Sequence, residues 1–352
     1  MKKILVSTSG SLGDILVLFP ILAGIRARYP DAAITVLNKH RSVSANDPIE
    51  LVRQAGYADE IRCISKSALK LRMLFSRLPR PGRAHWDLVF FLQRDGRSLP
   101  GKIRKELGFF QRISKGPVRG AVVLETLSDP RRVYPRVAEL LLARINHGSD
   151  EPIVPGTHRF PFSERETAEA DAMLKELHLP ENAIPFAVCI GGKKSVSLWP
   201  LENYIRILSA VVKETDGVPV FLGGPGDADA VRFVMSRLPE GRAFHAMGLA
   251  SDLKKSICLM SRLKFYLGND TGSIHMAAAA GLRCIGLYSS HSPAGLWDPL
   301  GEGHRVFRCT PEPECVGCRK TDCPFGTPAR CIDAIPEEQV RQAVFDRIRE
   351  NG

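Results

Sequence analysis

Gly268-Asn269-Asp270-Thr271-Gly272-Ser273-Ile274-His275-Met276-Ala277-Ala278-Ala279-Ala280-Gly281 lies between two short apolar runs, residues 264–267 and 284–288. Strand, polar turn, alanine-rich helix, glycine stop and second strand together read as a βαβ unit. Asp, Thr, Gly and Ser crowd the point where the helix begins. The first turn of a helix leaves backbone N–H groups without intrahelical partners, and the helix dipole adds partial positive charge there. Phosphate binds well at such a place. His275 falls within that first turn, close enough to reach the same ligand. A capping residue beside a packed histidine accounts for the same letters.

The N-terminus repeats the theme. Residues 3–7 read as a strand, residues 8–14 as the turn Thr8-Ser9-Gly10-Ser11-Leu12-Gly13-Asp14, and residues 15–28 as an apolar helix carrying Pro20. Open α/β sheets bind ligands beyond the carboxyl ends of their strands, which is where Asp14 falls. Gly10 and Gly13 do not make a G-x-G-x-x-G dinucleotide fingerprint. Asp14 also suits a helix cap.

Strand and helix alternate through both halves. Further strands are expected at 33–37, 87–92, 121–124, 186–190 and 219–222, with helices at 201–215, after Asp227, and at 253–263. A polar, proline-rich stretch from 146 to 161 reads as a linker. A chain of 352 residues is long for one core. The expected domains are therefore 1–160 and 161–335, with a C-terminal helix, 336–352, packing back on the first. Hydrophobic content of 44% and charged content of 25% fit a globular protein, and no apolar run reaches the ~20 residues that cross a bilayer. Lys2 and Lys3 precede an apolar stretch, but Asp14 interrupts it and no small-residue cleavage site follows. A cytoplasmic protein is expected.

Four segments occur in an order shared with one family. They are Ser11-Leu12-Gly13-Asp14, Trp199-Pro200, Gly223-Gly224-Pro225-Gly226-Asp227, and Asp270-Thr271-Gly272 with His275. The chain resembles glycosyltransferase family 9, the ADP-heptose:lipopolysaccharide heptosyltransferases, over residues 1–340. The likeness extends to Arg26-Ala27-Arg28-Tyr29-Pro30-Asp31-Ala32 and to Cys331-Ile332-Asp333-Ala334-Ile335-Pro336-Glu337-Glu338. It implies an α/β GT-B fold, two Rossmann-like domains facing a central cleft, the first binding acceptor and the second nucleotide sugar. It also implies an inverting transfer of heptose from ADP-heptose to a lipopolysaccharide core.

Transfer from a nucleotide diphosphate sugar expels a diphosphate, whose charge must be stabilised. No D-x-D-like acidic metal cluster is evident, and a helix N-terminus serves without metal or other cofactor. Asp270, Thr271, Gly272, Ser273 and His275 are thus the expected diphosphate site, with Asp227 or Asp229 accepting from the ribose hydroxyls. Asp14 matches the family's proposed general base, taking the proton of the attacking hydroxyl. Two positions depart from the family pattern. Where relatives carry Lys-x-Trp-Pro this chain has Ser197-Leu198-Trp199-Pro200, so Lys193 or Lys194 is expected to supply the charge. In the strand at 87–93, Phe91 stands where Asp is common.

Charge is concentrated. Residues 64–120 hold fourteen Lys or Arg and three acids, a net +11 that equals the whole chain's formal charge. Arg77, Arg80 and Arg83 sit in a Pro/Gly-rich loop, and Lys102, Arg104 and Lys105 form a second group. Such a patch seeks an anionic partner, although a charge run is also simply a solvated face. Under the resemblance, the patch and Gly13 would meet an anionic glycolipid acceptor at the inner-membrane surface, with peripheral membrane association. No helix-turn-helix, zinc finger or aromatic RNA-binding motif accompanies it, so no nucleic-acid partner is expected. Five of nine cysteines lie between 309 and 331. Cys315-x-x-Cys318 has metal-ligand spacing, and Cys323 and Cys331 could complete a four-thiolate zinc or iron site; unligated thiols are the alternative. Competing readings are sugar transfer to a protein, a GT-B-shaped sugar-nucleotide epimerase, and a basic nucleic-acid-binding module.

Overall fold

The computed structural model describes residues 1–8, 10–38, 47–64, 86–93, 100–122, 129 and 131–352. Chain contacts divide it into two units, Met1–Asp129 with Pro135–His158, and Pro130–Tyr134 with Arg159–Gly352.

The first unit is built on β1 (Lys3–Thr8), β2 (Ala33–Asn38), β3 (Glu60–Cys63), β4 (Leu88–Gln93) and β5 (Val118–Val122). They form one parallel sheet in the order β3-β2-β1-β4-β5. Helices α1 (Leu12–Leu16), α2 (Phe19–Arg28), α3 (Glu50–Gln54), α4 (Pro100–Ile113) and α5 (Val137–Asn146) complete the described part. The single helix expected over 15–28 is two. Pro20 sits in the first turn of α2, where its missing N–H removes no helical bond. The strand expected at 121–124 begins earlier, because Val118–Val122 pairs with Val89–Gln93. A cluster of Leu5, Ile64, Val89, Phe91, Phe109 and Phe110 packs α4 onto β4. Phe91 is thus a core residue, 1% exposed.

The second unit carries β6 (Ile184–Cys189), β7 (Gly217–Phe221), β8 (Phe244–His245), β9 (Phe265–Asn269), β10 (Arg283–Leu287) and β11 (Arg305–Phe307). This sheet is also parallel, in the order β11-β10-β9-β6-β7-β8. Helices α6 (Glu164–Lys175), α7 (Leu201–Glu214), α8 (Ala228–Met235), α9 (Leu253–Met260), α10 (Gly272–Ala279), α11 (Arg330–Asp333) and α12 (Glu337–Arg349) cover it. Strands β6, β7 and β9 are buried on both faces, hence their continuous apolar runs. Phe186 stacks on Phe265 at 4.5 Å between ring centres.

The closing helix does not follow the expectation that it returns to the first half. Val340, Ala343, Val344 and Ile348 recur at helical spacing and enter the second unit's core beside Ile207 and Val211. No helix among the described residues is long and apolar enough to cross a membrane.

Candidate active site

In the second sheet the chain runs from β6 to β7 on one side and to β9 on the other. The topological switch point therefore lies between β6 and β9, where doubly wound folds open a crevice for ligand. The segments that leave these two strands are Ile190–Pro200 and Asp270–Ser273. They are held together at the base by Asn269, which is fully buried. Its side-chain Nδ2 donates to the Ile190 carbonyl at 2.8 Å, while Oδ1 accepts from the Trp199 N–H at 3.2 Å and the Tyr204 hydroxyl at 2.9 Å. Trp199 is 1% exposed and meets Tyr204 edge-on. Trp199-Pro200 thus anchors the loop and starts α7, and Ser197 beside it is buried with no partner for its hydroxyl.

The Asp270 turn enters α10 as its sequence suggests. Thr271 is the N-cap in extended backbone conformation, yet its side chain caps no backbone N–H. It bonds instead to the Ser273 hydroxyl at 2.7 Å, which the Tyr266 hydroxyl also reaches at 2.7 Å. The first helix N–H groups therefore lack the side-chain oxygen that usually covers them, and the Ile274 N–H reaches the Thr271 carbonyl at 3.3 Å. Gly281 ends the helix with φ +88°, and the Leu282 N–H returns to the Ala277 carbonyl at 2.9 Å. Gly192 lies against the turn so closely that a Cβ there would stand 2.8 Å from the Thr271 methyl group. His275, 6% exposed, lies in the same helical turn.

Electrostatics single out Asp270. Burial pushes its carboxyl up to about 6, although the residue keeps part of its surface in solvent; Lys194 and Arg308 pull it down and Asp298 pushes it further up. Arg308 is fixed by Asp298 at 2.8 Å and by the face of Tyr288, 4.7 Å from the ring centre, which leaves its second guanidinium nitrogen without a partner. Lys194 Nζ lies 3.1 Å from His291 Nε2. Lys194 and Arg308 thus both favour the charged form of Asp270, while their own contacts are with His291 and with Asp298 and Tyr288. Cys189, under the turn, has its thiol pushed up to about 12 by burial and stays protonated.

The other expected donor residues are less concentrated. Lys193 is exposed. Asp227 is committed to its own turn, accepting from the Gly224 N–H at 2.8 Å and pressing so close to Gly191 that a Cβ there would meet its Oδ1 at 1.9 Å. Asp229 is exposed and paired with Arg232.

Asp14 is buried in the first unit, at the exit of β1. Its Oδ2 accepts from the Ser11 N–H at 2.6 Å and the Ser11 hydroxyl at 3.0 Å; the N-cap of α1 is Ser11, and Asp14 reaches back to it from the third helical position. Gly10 stands at φ +151°, and a Cβ there would fall 2.3 Å from that of Asp14. The first sheet's own switch point lies between β1 and β4, one strand-end from this carboxylate. Gly13 is buried beside it. Near the same strand ends, Ser7 Oγ, Thr8 Oγ1 and Asn38 Oδ1 are buried with no partner. Of the expected acceptor cations, Lys105 is exposed on α4, Lys102 and Arg104 belong to the same helix, and Arg77, Arg80 and Arg83 lie outside the described residues.

The four-thiolate set is not assembled. Cys315 and Cys318 are exposed, Cys323 and Cys331 half-buried, and among the described residues no three His, Cys, Asp or Glu side chains gather as a metal group. Three residues of the constellation escaped the sequence reading: His291, Arg308 and Asn269. Only Asn269, adjoining Asp270, carried a signal.

A family model described as glycosyltransferase family 9 (heptosyltransferase) matches residues 140–328. A lipopolysaccharide heptosyltransferase 2 of Salmonella typhimurium is 23% identical over 366 residues, covering 99% of each chain. A family 9 glycosyltransferase structure from Veillonella parvula superposes with a TM-score of 0.70 at 19% identity, over 99% of this chain and 98% of that one. An Escherichia coli heptosyltransferase with ADP-2-deoxy-2-fluoro heptose gives a TM-score of 0.60 at 16% identity, over 99% and 100%. The fold is GT-B.

Proposed function

The chain belongs to glycosyltransferase family 9, and from that premise we propose that it moves a heptose from ADP-heptose to a phosphorylated lipopolysaccharide-core acceptor, with inversion at the anomeric carbon. It is a glycosyltransferase. The observation that carries the reading is the start of α10 at the second sheet's switch point, where Thr271 makes no side-chain bond to the helix N–H groups and where Lys194 and Arg308 both favour the charged form of Asp270. A departing diphosphate needs positive potential that is already in place before the bond breaks. Backbone N–H groups at a helix start and two cations from separate loops supply it, with no metal required. A heptosyltransferase of similar fold is known with an ADP-heptose analogue, in keeping with this choice of donor.

In this reading the second unit holds the donor and the first activates the acceptor. The paired Ser11 donors fix the rotamer of Asp14 at the end of β1, and the carboxylate takes the proton of the attacking hydroxyl. The acceptor's phosphates are drawn by the basic segment that includes Lys102, Arg104 and Lys105, which places the enzyme at the cytoplasmic face of the inner membrane. Asp227 orders the loop beneath the nucleoside through Gly224 rather than by contact with ribose.

The test is a mass-spectrometric transfer assay offering ADP-, UDP- and GDP-sugars with a heptose-deficient core acceptor. ADP-heptose is expected to be the productive donor. Asp14→Asn keeps an oxygen for the Ser11 bonds and is expected to lower kcat by about 10²–10⁴, with ADP affinity within about twofold of the parent. Equal loss of both sinks the base assignment, and turnover with UDP-sugars alone sinks the donor assignment.

A further inference from the structure

Lys194 is an exposed residue on the segment leaving β6, yet its ammonium ends 3.1 Å from the Nε2 of a histidine ninety-seven positions away. That histidine, His291, is 3% exposed, and its Nδ1 lies 2.8 Å from the hydroxyl of Ser289, itself 0% exposed. An ammonium can only donate, so Nε2 accepts. The proton is then on Nδ1 and is donated to the Ser289 hydroxyl, which fixes the neutral tautomer. The backbone of this segment is held as well: the Gly317 N–H donates to the Ser290 carbonyl at 2.7 Å and the Arg319 N–H to the His291 carbonyl at 2.9 Å.

We propose that His291 is a positioning residue for the donor diphosphate, holding the Lys194 ammonium in place through a neutral acceptor. This rests on the donor site assigned above. A lysine is a point charge on a flexible stem and loses much of its freedom when it must meet an anion. A carboxylate would fix the stem equally well but would cancel the charge the diphosphate needs. An imidazole acceptor fixes it and leaves the full positive charge. Gly192, two residues before Lys194, lies against Thr271, so the loop that carries the ammonium runs beside the turn that begins α10. The arrangement also accounts for the departure at Ser197: the cation stands three residues earlier in the same loop, and a second loop, after β10, supplies the anchor.

The test is a double-mutant cycle on the full-length chain, titrating ADP, pyrophosphate and adenosine calorimetrically. Lys194→Ala is expected to weaken ADP and pyrophosphate about tenfold, and His291→Ala about fivefold, both leaving adenosine unchanged. In the double variant the His291→Ala effect should vanish, since its partner is gone. His291→Gln, whose amide oxygen can accept from Lys194, should restore affinity to within about twofold of the parent, and the donor KM should carry the His291→Ala defect rather than kcat. If His291→Ala does not fold, Ser289→Ala, which frees the ring, takes its place in the cycle. Additive losses, weakened adenosine binding, or a Gln variant as defective as Ala would overturn the proposal while leaving the donor site intact. Unchanged ADP affinity in Lys194→Ala would instead remove the donor-site reading, and this inference with it.

Discussion

Asn269→Ala is the substitution that most directly tests how the site is held. The side chain satisfies three groups at once: the Trp199 N–H, the Tyr204 hydroxyl and the Ile190 carbonyl. Truncation leaves all three without that partner in a region where Trp199 and Tyr204 are 1% and 0% exposed. A stranded buried polar group costs about 1–3 kcal/mol, so the sum is about 4 kcal/mol after partial relaxation. Against a typical total of about 5–15 kcal/mol this is a large fraction. Tyr204→Phe provides the scale: it deletes one donor and leaves Asn269 Oδ1 its bond to Trp199, for about 1 kcal/mol. Urea unfolding followed by tryptophan fluorescence reports mainly on the second unit, which holds Trp199 and Trp297 while Trp86 lies in the first. With a slope of about 2–3 kcal/mol/M, Asn269→Ala should move the midpoint of that transition down by about 1.5 M. A shift no larger than that of Tyr204→Phe would refute the claim that one amide ties the two strand exits together.

Asp270 sets a pH dependence of unusual sign. Its carboxyl titrates near 6 when folded and near 3.8 when unfolded, so between about 4 and 6 the folded protein binds the extra proton and its stability falls as pH rises through that window. Asp270→Asn should remove that component; a parent-minus-variant stability difference that is flat from pH 4 to 6 contradicts it. Gly191→Ala should displace Asp227, whose Oδ1 would stand 1.9 Å from the new methyl group, costing about 1–3 kcal/mol and much of the ADP affinity. Asp227→Ala in the same chain should recover part of the stability, and an additive loss would show that the clash lies elsewhere.

The sequence showed most of the fold because parallel strands buried on both faces announce themselves as apolar runs. Residues 264–267 and 284–288 find their places in β9 and β10, and Gly281 ends α10 as only a residue at ease with positive φ does. Short edge strands such as β8 and β11 carry too few residues for a pattern. Asp270 was visible because it directly follows a strand, and Asp14 because it closes the short glycine-containing stretch after β1. His291 and Arg308 were not, since their meaning depends on which loops the sheet order brings together. The closing helix was misassigned for a related reason: an apolar stripe tells that a helix packs, but not on what. Asp14 is buried at the third position of α1, bonded back to the N-cap residue Ser11, which its letter and spacing alone did not show.

Ser197 supplies the sharpest test of whether this site is defined by charge or by sequence position. Under the family resemblance it occupies a place where lysine is common, and here it is 1% exposed with no partner for its hydroxyl. If the diphosphate requires only a cation at a point in space, returning lysine to residue 197 should compensate for removing it from 194. Lys194→Ala/Ser197→Lys is expected to recover at least about half of the tenfold loss in ADP affinity, with the long stem threading past Trp199 to bring its ammonium to solvent. In that background His291→Ala should have no effect, because its ring no longer holds the working cation. Recovery that still depends on His291 would mean that the ring meets the ligand itself, and a double variant no better than Lys194→Ala would show that the exit loop of β6 has been rebuilt around serine and admits the cation from one side only.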